Sequence, residues 1–244
     1  MISGKRVIAA MLTALMAVTF TANTAVSVYA TGVTATENAQ TIDAQSTDAQ
    51  ALTPEEQKAQ ELQQVYDMPV ESNGYKDWPQ GPGTYGEAGI VMEVGTGAIL
   101  YAKNIDAHEY PASITKVLTA LVALENGQLT DNVTFSHDSV AFLQRGDSSV
   151  GLKEGNVITL DQAMHAMLLA SANEAAYAIG ESVGVNAGHD YNWFIEQMNS
   201  RCKELGGENS NFANTNGLHD PNHYTCARDM ALIGRELFKH PEFF

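Results

Sequence analysis

The 244-residue chain is predicted to carry one α+β domain, a small antiparallel sheet packed against a lobe of helices. Three features support this. Two short apolar segments flank Gly95-Thr96-Gly97, which reads as a β-hairpin with a glycine turn. The segment after Tyr110 is apolar around nearly its whole helical circumference, as suits a helix buried mid-domain. Beyond it, the apolar residues recur at helical rather than strand spacing. A chain of this length can bury a substantial core.

Taken in order, the first thirty residues read as an export signal. Lys5 and Arg6 form the charged start, Val7 to Phe20 the apolar run, and Val28-Tyr29-Ala30 the small-residue cleavage site. An uncleaved anchor fits less well, because Thr21, Asn23 and Thr24 interrupt a run shorter than the roughly 20 residues a span needs. Residues 31–84 are expected to form a disordered acidic leader, poor in large apolar side chains at its start. Within it, Thr53-Pro54-Glu55-Glu56 supplies a cap, a first-turn proline and acids for a short helix reaching about Tyr66.

The globular domain is expected over 85–244. Its hairpin pairs Ile90–Val94 with Ala98–Tyr101, and the buried helix runs from Ser113 to Glu125. Gly127 is expected as a left-handed cap. Further helices are expected at Leu160–Leu169, Glu174–Val183, Asp190–Leu205 and Thr225–Lys239. Cys202 and Cys226 each fall on an apolar stripe and read as core residues, with a single bridge between them left open.

The formal charge of -16 bears on partners. From Thr31 to Ile90 there are ten acidic residues against only Lys58 and Lys76. Nucleic acids and anionic membranes require clustered Lys and Arg, so neither is an expected partner.

Chemistry concentrates at Ser113-Ile114-Thr115-Lys116, a hydroxyl and an amine one helical turn apart. Serine is a weak nucleophile without an adjacent base. Lysine can be that base when burial lowers its pKa. A capping serine beside a solvated lysine would give the same four letters. The pattern recurs at Ser200-Arg201-Cys202-Lys203, deep in an expected helix where no free backbone N–H adjoins the serine. Ser171-Ala172-Asn173 offers a second hydroxyl and an amide at a helix junction, where both could equally be caps.

Together, Tyr110-Pro111-Ala112-Ser113-Ile114-Thr115-Lys116, Leu169-Ala170-Ser171-Ala172-Asn173-Glu174-Ala175, Asn216-Gly217-Leu218 and His223 to Met230 resemble the low-molecular-mass penicillin-binding proteins. Specifically, they resemble the D-Ala-D-Ala carboxypeptidases of the DacA type, serine peptidase family S11. The resemblance spans about Gly86 to Phe244. It implies the β-lactamase/DD-peptidase-like fold and a penicillin-sensitive enzyme that removes the terminal D-alanine from peptidoglycan stem peptides ending in D-Ala-D-Ala. It also implies Ser113 as nucleophile, Lys116 as its base, Ser171 in proton transfer and Asn173 on the substrate amide, with no cofactor or metal. The Ser113 N–H would form half of an oxyanion hole. Asn216-Gly217-Leu218 and His223 to Met230 are expected to be structural.

The family's third motif departs from this pattern: neither Lys-Thr-Gly nor Lys-Ser-Gly occurs in the 244 residues. The expectation is a domain without its final strands and with little activity, or a remnant that only binds wall peptide. A class A β-lactamase would need a glutamate–asparagine pair, for which Glu196-Gln197-Met198-Asn199 is the one loose candidate. A zinc site at His219, His223 and Cys226 is the remaining alternative.

Overall fold

A computed structural model describes residues 52–244. The expected export segment and the start of the acidic spacer lie outside the described residues.

Helix α1 spans Pro54–Tyr66, and Thr53 and Glu56 close a reciprocal capping box at its start. The chain then turns through Glu71–Gly74 and reaches the hairpin, strands β1 (Gly89–Met92) and β2 (Ile99–Lys103), paired antiparallel with Ile90 opposite Ala102. Glu93 shapes the hairpin turn by accepting from Gly95 N, Thr96 N and Thr96 Oγ1.

The leader expected to be disordered through residue 84 is laced to the outer edge of β2 over its second half. Ser72 Oγ accepts from the Ala102 N–H, and Glu71 accepts from the Asn104 N–H. The Trp78 indole donates to the Leu100 carbonyl, and the Tyr101 hydroxyl donates to Pro82. Lys103, fully buried, donates to the carbonyls of Val65 and Thr84 at 2.6 Å each. Composition suggested disorder because few apolar residues are present. What holds this segment is hydrogen bonding to an edge strand, which would otherwise offer open backbone groups. That leaves no mark on apolar periodicity.

Helix α2 (Thr115–Asn126) runs through the middle of the domain. Leu118, Ala120, Leu121, Val122 and Ala123 are all buried, so truncating Leu121 to alanine should cost about 2–5 kcal/mol. Around it pack α4 (Leu160–Leu169), α5 (Asn173–Asn186), α6 (Tyr191–Glu204) and α7 (Ala227–Leu237), and α7 also touches β1. Between α2 and α4 the chain adds elements that the periodicity did not suggest. These are β3 (Asn132–Thr134), the five-residue helix α3 (His137–Ala141) and β4 (Val157–Thr159), with β3 and β4 paired antiparallel. They are too short for a period to register.

Gly127 ends α2 with extended backbone, not the left-handed cap expected. A Cβ there would sit 3.0 Å from a methyl of Leu160, so close packing is what favours glycine. Cys202 and Cys226 are both buried free thiols, and burial pushes each pKa up to about 11. Among the described residues no helix is long and apolar enough to cross a membrane.

Candidate active site

Helix α2 has one buried polar stripe, Thr115, Lys116 and Thr119, on an otherwise apolar element. The loop between α6 and α7 satisfies all three. Thr119 Oγ1 donates to the Thr215 carbonyl at 2.7 Å, and Lys116 Nζ donates to the Asn216 carbonyl at 2.7 Å. His223 Nδ1 accepts from the Ala213 N–H, so its Nε2 carries the proton and donates to Thr115 Oγ1 at 2.7 Å. Burial lowers the His223 pKa to about 4, which keeps the ring neutral.

Ser113 stands on the 3₁₀ turn Ala112–Ile114 that opens α2, exposed above the buried Lys116. Its Oγ lies 3.1 Å from Lys116 Nζ and 2.9 Å from Ser171 Oγ. Asn173, the first residue of α5, turns its Oδ1 to Lys116 Nζ at 2.8 Å. The four residues singled out in the sequence therefore form one connected cluster, with Ser113 and Asn173 on the Lys116 amine and Ser171 on the Ser113 hydroxyl. Ser200 lies away from them on α6.

Desolvation lowers the Lys116 pKa to about 8, against a smaller opposing effect of the Glu174 charge. The partners show what the neutral form would do. Asn173 Oδ1 and the Asn216 carbonyl are pure acceptors and would take the two hydrogens of a neutral amine. Its lone pair is then left for the Ser113 hydroxyl.

Backbone strain surrounds the two hydroxyls. Ala112 and Ser171 both adopt left-handed conformations, at φ 47° and 55°. Such residues cost of order 1–3 kcal/mol each and persist only where their surroundings over-determine them. Gly217 does so for Ala112: at φ 85°, a Cβ on it would fall 1.8 Å from the Ala112 carbonyl oxygen.

The sequence-based reading did not foresee what Asn216, Gly217, Thr115 and His223 do. Asn216 acts through its carbonyl and Gly217 through the absence of a side chain, so neither has a side-chain signature. Thr115 and His223 are 108 positions apart, and spacing could not link them.

Two alternatives are not supported. His223 spends both ring nitrogens on protein partners and His219 packs edge-on against Tyr110, so the donors of the zinc alternative are not arranged as a metal site. Glu196 lies inside α6, and the Asn199 amide is spent on Ile195 and on both backbone groups of Phe212.

Comparison with known proteins gives the same class. Residues 79–243 match the family model described as D-alanyl-D-alanine carboxypeptidase. The D-alanyl-D-alanine carboxypeptidase DacF of Bacillus subtilis is 33% identical over 159 residues, covering 63% of this chain and 39% of that protein. Penicillin binding protein 5 of Haemophilus influenzae superposes with a TM-score of 0.59 at 32% identity, over 66% of this chain and 47% of that one. For the D-alanyl-D-alanine carboxypeptidase of Mycobacterium tuberculosis the TM-score is 0.59 at 28% identity, over 72% and 63%. The chain spans about two fifths of the length of the curated relatives it matches.

The hairpin, the central buried helix and the surrounding helices thus define a fold of the β-lactamase/DD-peptidase type. Within that class, the chain belongs to the D-alanyl-D-alanine carboxypeptidase family, peptidase S11.

Proposed function

We propose that the protein takes part in serine-type hydrolysis of D-Ala-D-Ala termini of peptidoglycan stem peptides, through an acyl-enzyme on Ser113. The observation that carries this reading is the convergence of Lys116 and Ser171 on the Ser113 hydroxyl within hydrogen-bond reach, with Asn173 holding the Lys116 amine.

In this reading the neutral Lys116 amine takes the Ser113 proton as Oγ attacks the carbonyl carbon of the D-Ala-D-Ala bond. Negative charge moves to the carbonyl oxygen, where the Ser113 N–H, in the 3₁₀ turn that opens α2, supplies one donor. As the tetrahedral species collapses, the peptide C–N bond breaks. The proton taken up by Lys116 is passed to the leaving amine by way of the Ser171 hydroxyl, which lies 2.9 Å from Ser113 Oγ, releasing D-alanine and leaving an ester on Ser113. Water then attacks that ester with the proton path reversed, restoring Ser113 and freeing the shortened peptide. Asn173 holds Lys116 through its oxygen and presents its NH₂ to the substrate amide. β-Lactams would form the same ester with Ser113 and act as inhibitors. The charged start, apolar run and Val-Tyr-Ala end of the first thirty residues support action outside the cytoplasmic membrane.

The test is D-alanine release from a D-Ala-D-Ala peptide by wild type and by Ser113→Ala. Release that depends on Ser113 supports the reading. Release unchanged in Ser113→Ala contradicts it.

A further inference from the structure

Next to Asn173 in sequence stands a second buried polar residue, Glu174, which has no part in the proton path above. It is fully buried in the first turn of α5. Its two carboxylate oxygens are used very unequally. Oε1 accepts from Ser149 Oγ at 2.7 Å, from Val150 N at 2.8 Å and from Gly151 N at 3.2 Å. Oε2 is buried without a hydrogen-bond partner. The same loop is tied once more, because the Asn173 N–H donates to the Ser148 carbonyl at 2.9 Å. Consecutive residues of one helical turn therefore grip two things. The Asn173 side chain grips Lys116, and the Asn173 backbone with the Glu174 side chain grips the 148–151 loop.

A buried carboxylate with one idle oxygen is costly unless a cation lies within its field. Lys116, whose amine the preceding residue holds, is not hydrogen-bonded to Glu174, but the Glu174 charge favours its protonated form. No ionised side chain is hydrogen-bonded to Lys116. Its partners are Ser113, Asn173 and the Asn216 carbonyl, and the nearby His223 is neutral.

We infer that Glu174 is a positioning residue: its carboxylate fixes the 148–151 loop against the start of α5, beside the Asn173 side chain that holds the Lys116 amine, and its buried charge acts on that amine. Acceptor geometry and charge are separable. Glutamine keeps an acceptor oxygen for the loop and removes the charge, whereas aspartate keeps the charge and draws the acceptor back by one methylene. The consequence for catalysis rests on the proposed role of Lys116 as base, but the inference is tested without turnover.

Lysine-selective carbon NMR of the purified protein, with the Lys116 signal identified by its loss in Lys116→Arg, reads the amine directly. Trypsin cleavage after the exposed Arg145, which lies on the stretch leading into the loop, reads loop anchorage. In Glu174→Gln the Lys116 midpoint should fall by about one pH unit, a tenfold rise in neutral amine at a given pH, with cleavage near the wild-type rate. In Glu174→Asp the midpoint should stay near that of wild type while cleavage accelerates about tenfold or more, as local opening becomes easier. An unchanged Lys116 midpoint in Glu174→Gln, or unchanged cleavage in Glu174→Asp, overturns the inference. D-alanine release unchanged in Ser113→Ala would count against the proposed function and leave both readouts intact.

Discussion

The Asn216 carbonyl accepts a hydrogen bond from Lys116 Nζ at 2.7 Å, across 100 residues of sequence. This contact joins the central helix to the loop between α6 and α7. With Asn173 Oδ1 on the other side, it orients the amine so that one direction remains for Ser113. Two acceptors that cannot donate hold the amine in place.

The pH dependence of acylation follows from the Lys116 pKa of about 8. With the neutral amine as the proposed base, the rate of penicillin acylation should rise with pH, bend near 8 and level above it. Lys116→Arg cannot give up its proton and should lose about 10²–10⁴-fold in acylation at pH 8. Rates across pH 6–10 check both expectations. The sign for stability is separate. Folding lowers this pKa from 10.5, so the unfolded chain binds more protons between about 8 and 10.5, and this group's contribution to stability rises with pH over that window.

His223→Phe should destabilise the protein by about 1–3 kcal/mol, because Thr115 Oγ1 and the Ala213 N–H both lose a buried partner. In the wild-type protein, folding lowers the His223 pKa from 6.5 to about 4. Its contribution is therefore fully present above 6.5 and lost as pH falls through 4, and amounts to about 3 kcal/mol. Denaturant midpoints at pH 7 and pH 4, compared between wild type and variant, should converge at the lower value.

Gly217→Ala should disturb the nucleophile without touching it. The added carbon would meet the Ala112 carbonyl, and the positive φ would be strained in any case. The expected result is a loss of stability of about 1–3 kcal/mol together with at least tenfold slower acylation. Thermal melting and acylation kinetics check the two effects together.

How far the site was legible in the sequence depended on which atoms act. Ser113, Lys116, Ser171 and Asn173 carry side chains of distinctive chemistry at two compact motifs, and the structure joins all four in one hydrogen-bonded cluster. Asn216 and Gly217 were visible as landmarks but not as contributors, since a carbonyl oxygen and a missing Cβ are not written in residue type. The long helices α4 to α7 were legible because each repeats its apolar face over several turns. Strands β3 and β4, with three residues each, and the leader held on β2 were not. Their stability comes from partners distant in sequence, such as Lys103 reaching Val65 and Thr84.

That leader contact supports a prediction away from the site. Lys103→Met should leave the Val65 and Thr84 carbonyls without their donor, loosening residues 66–84 from the hairpin. Hydrogen exchange in that segment should rise while the acylation rate stays within about twofold of wild type, as expected for sites with no shared partners.

The central claim is that Ser113 is the nucleophile and Lys116 its base, and covalent labelling tests it most directly. The purified protein is treated with a labelled penicillin, digested, and the adduct located by mass spectrometry. The account predicts one adduct, on the peptide carrying Ser113, absent in Ser113→Ala and strongly reduced in Lys116→Arg. An adduct on Ser171 or Ser200, or labelling of Ser113 that persists in Lys116→Arg at the wild-type rate, would contradict it.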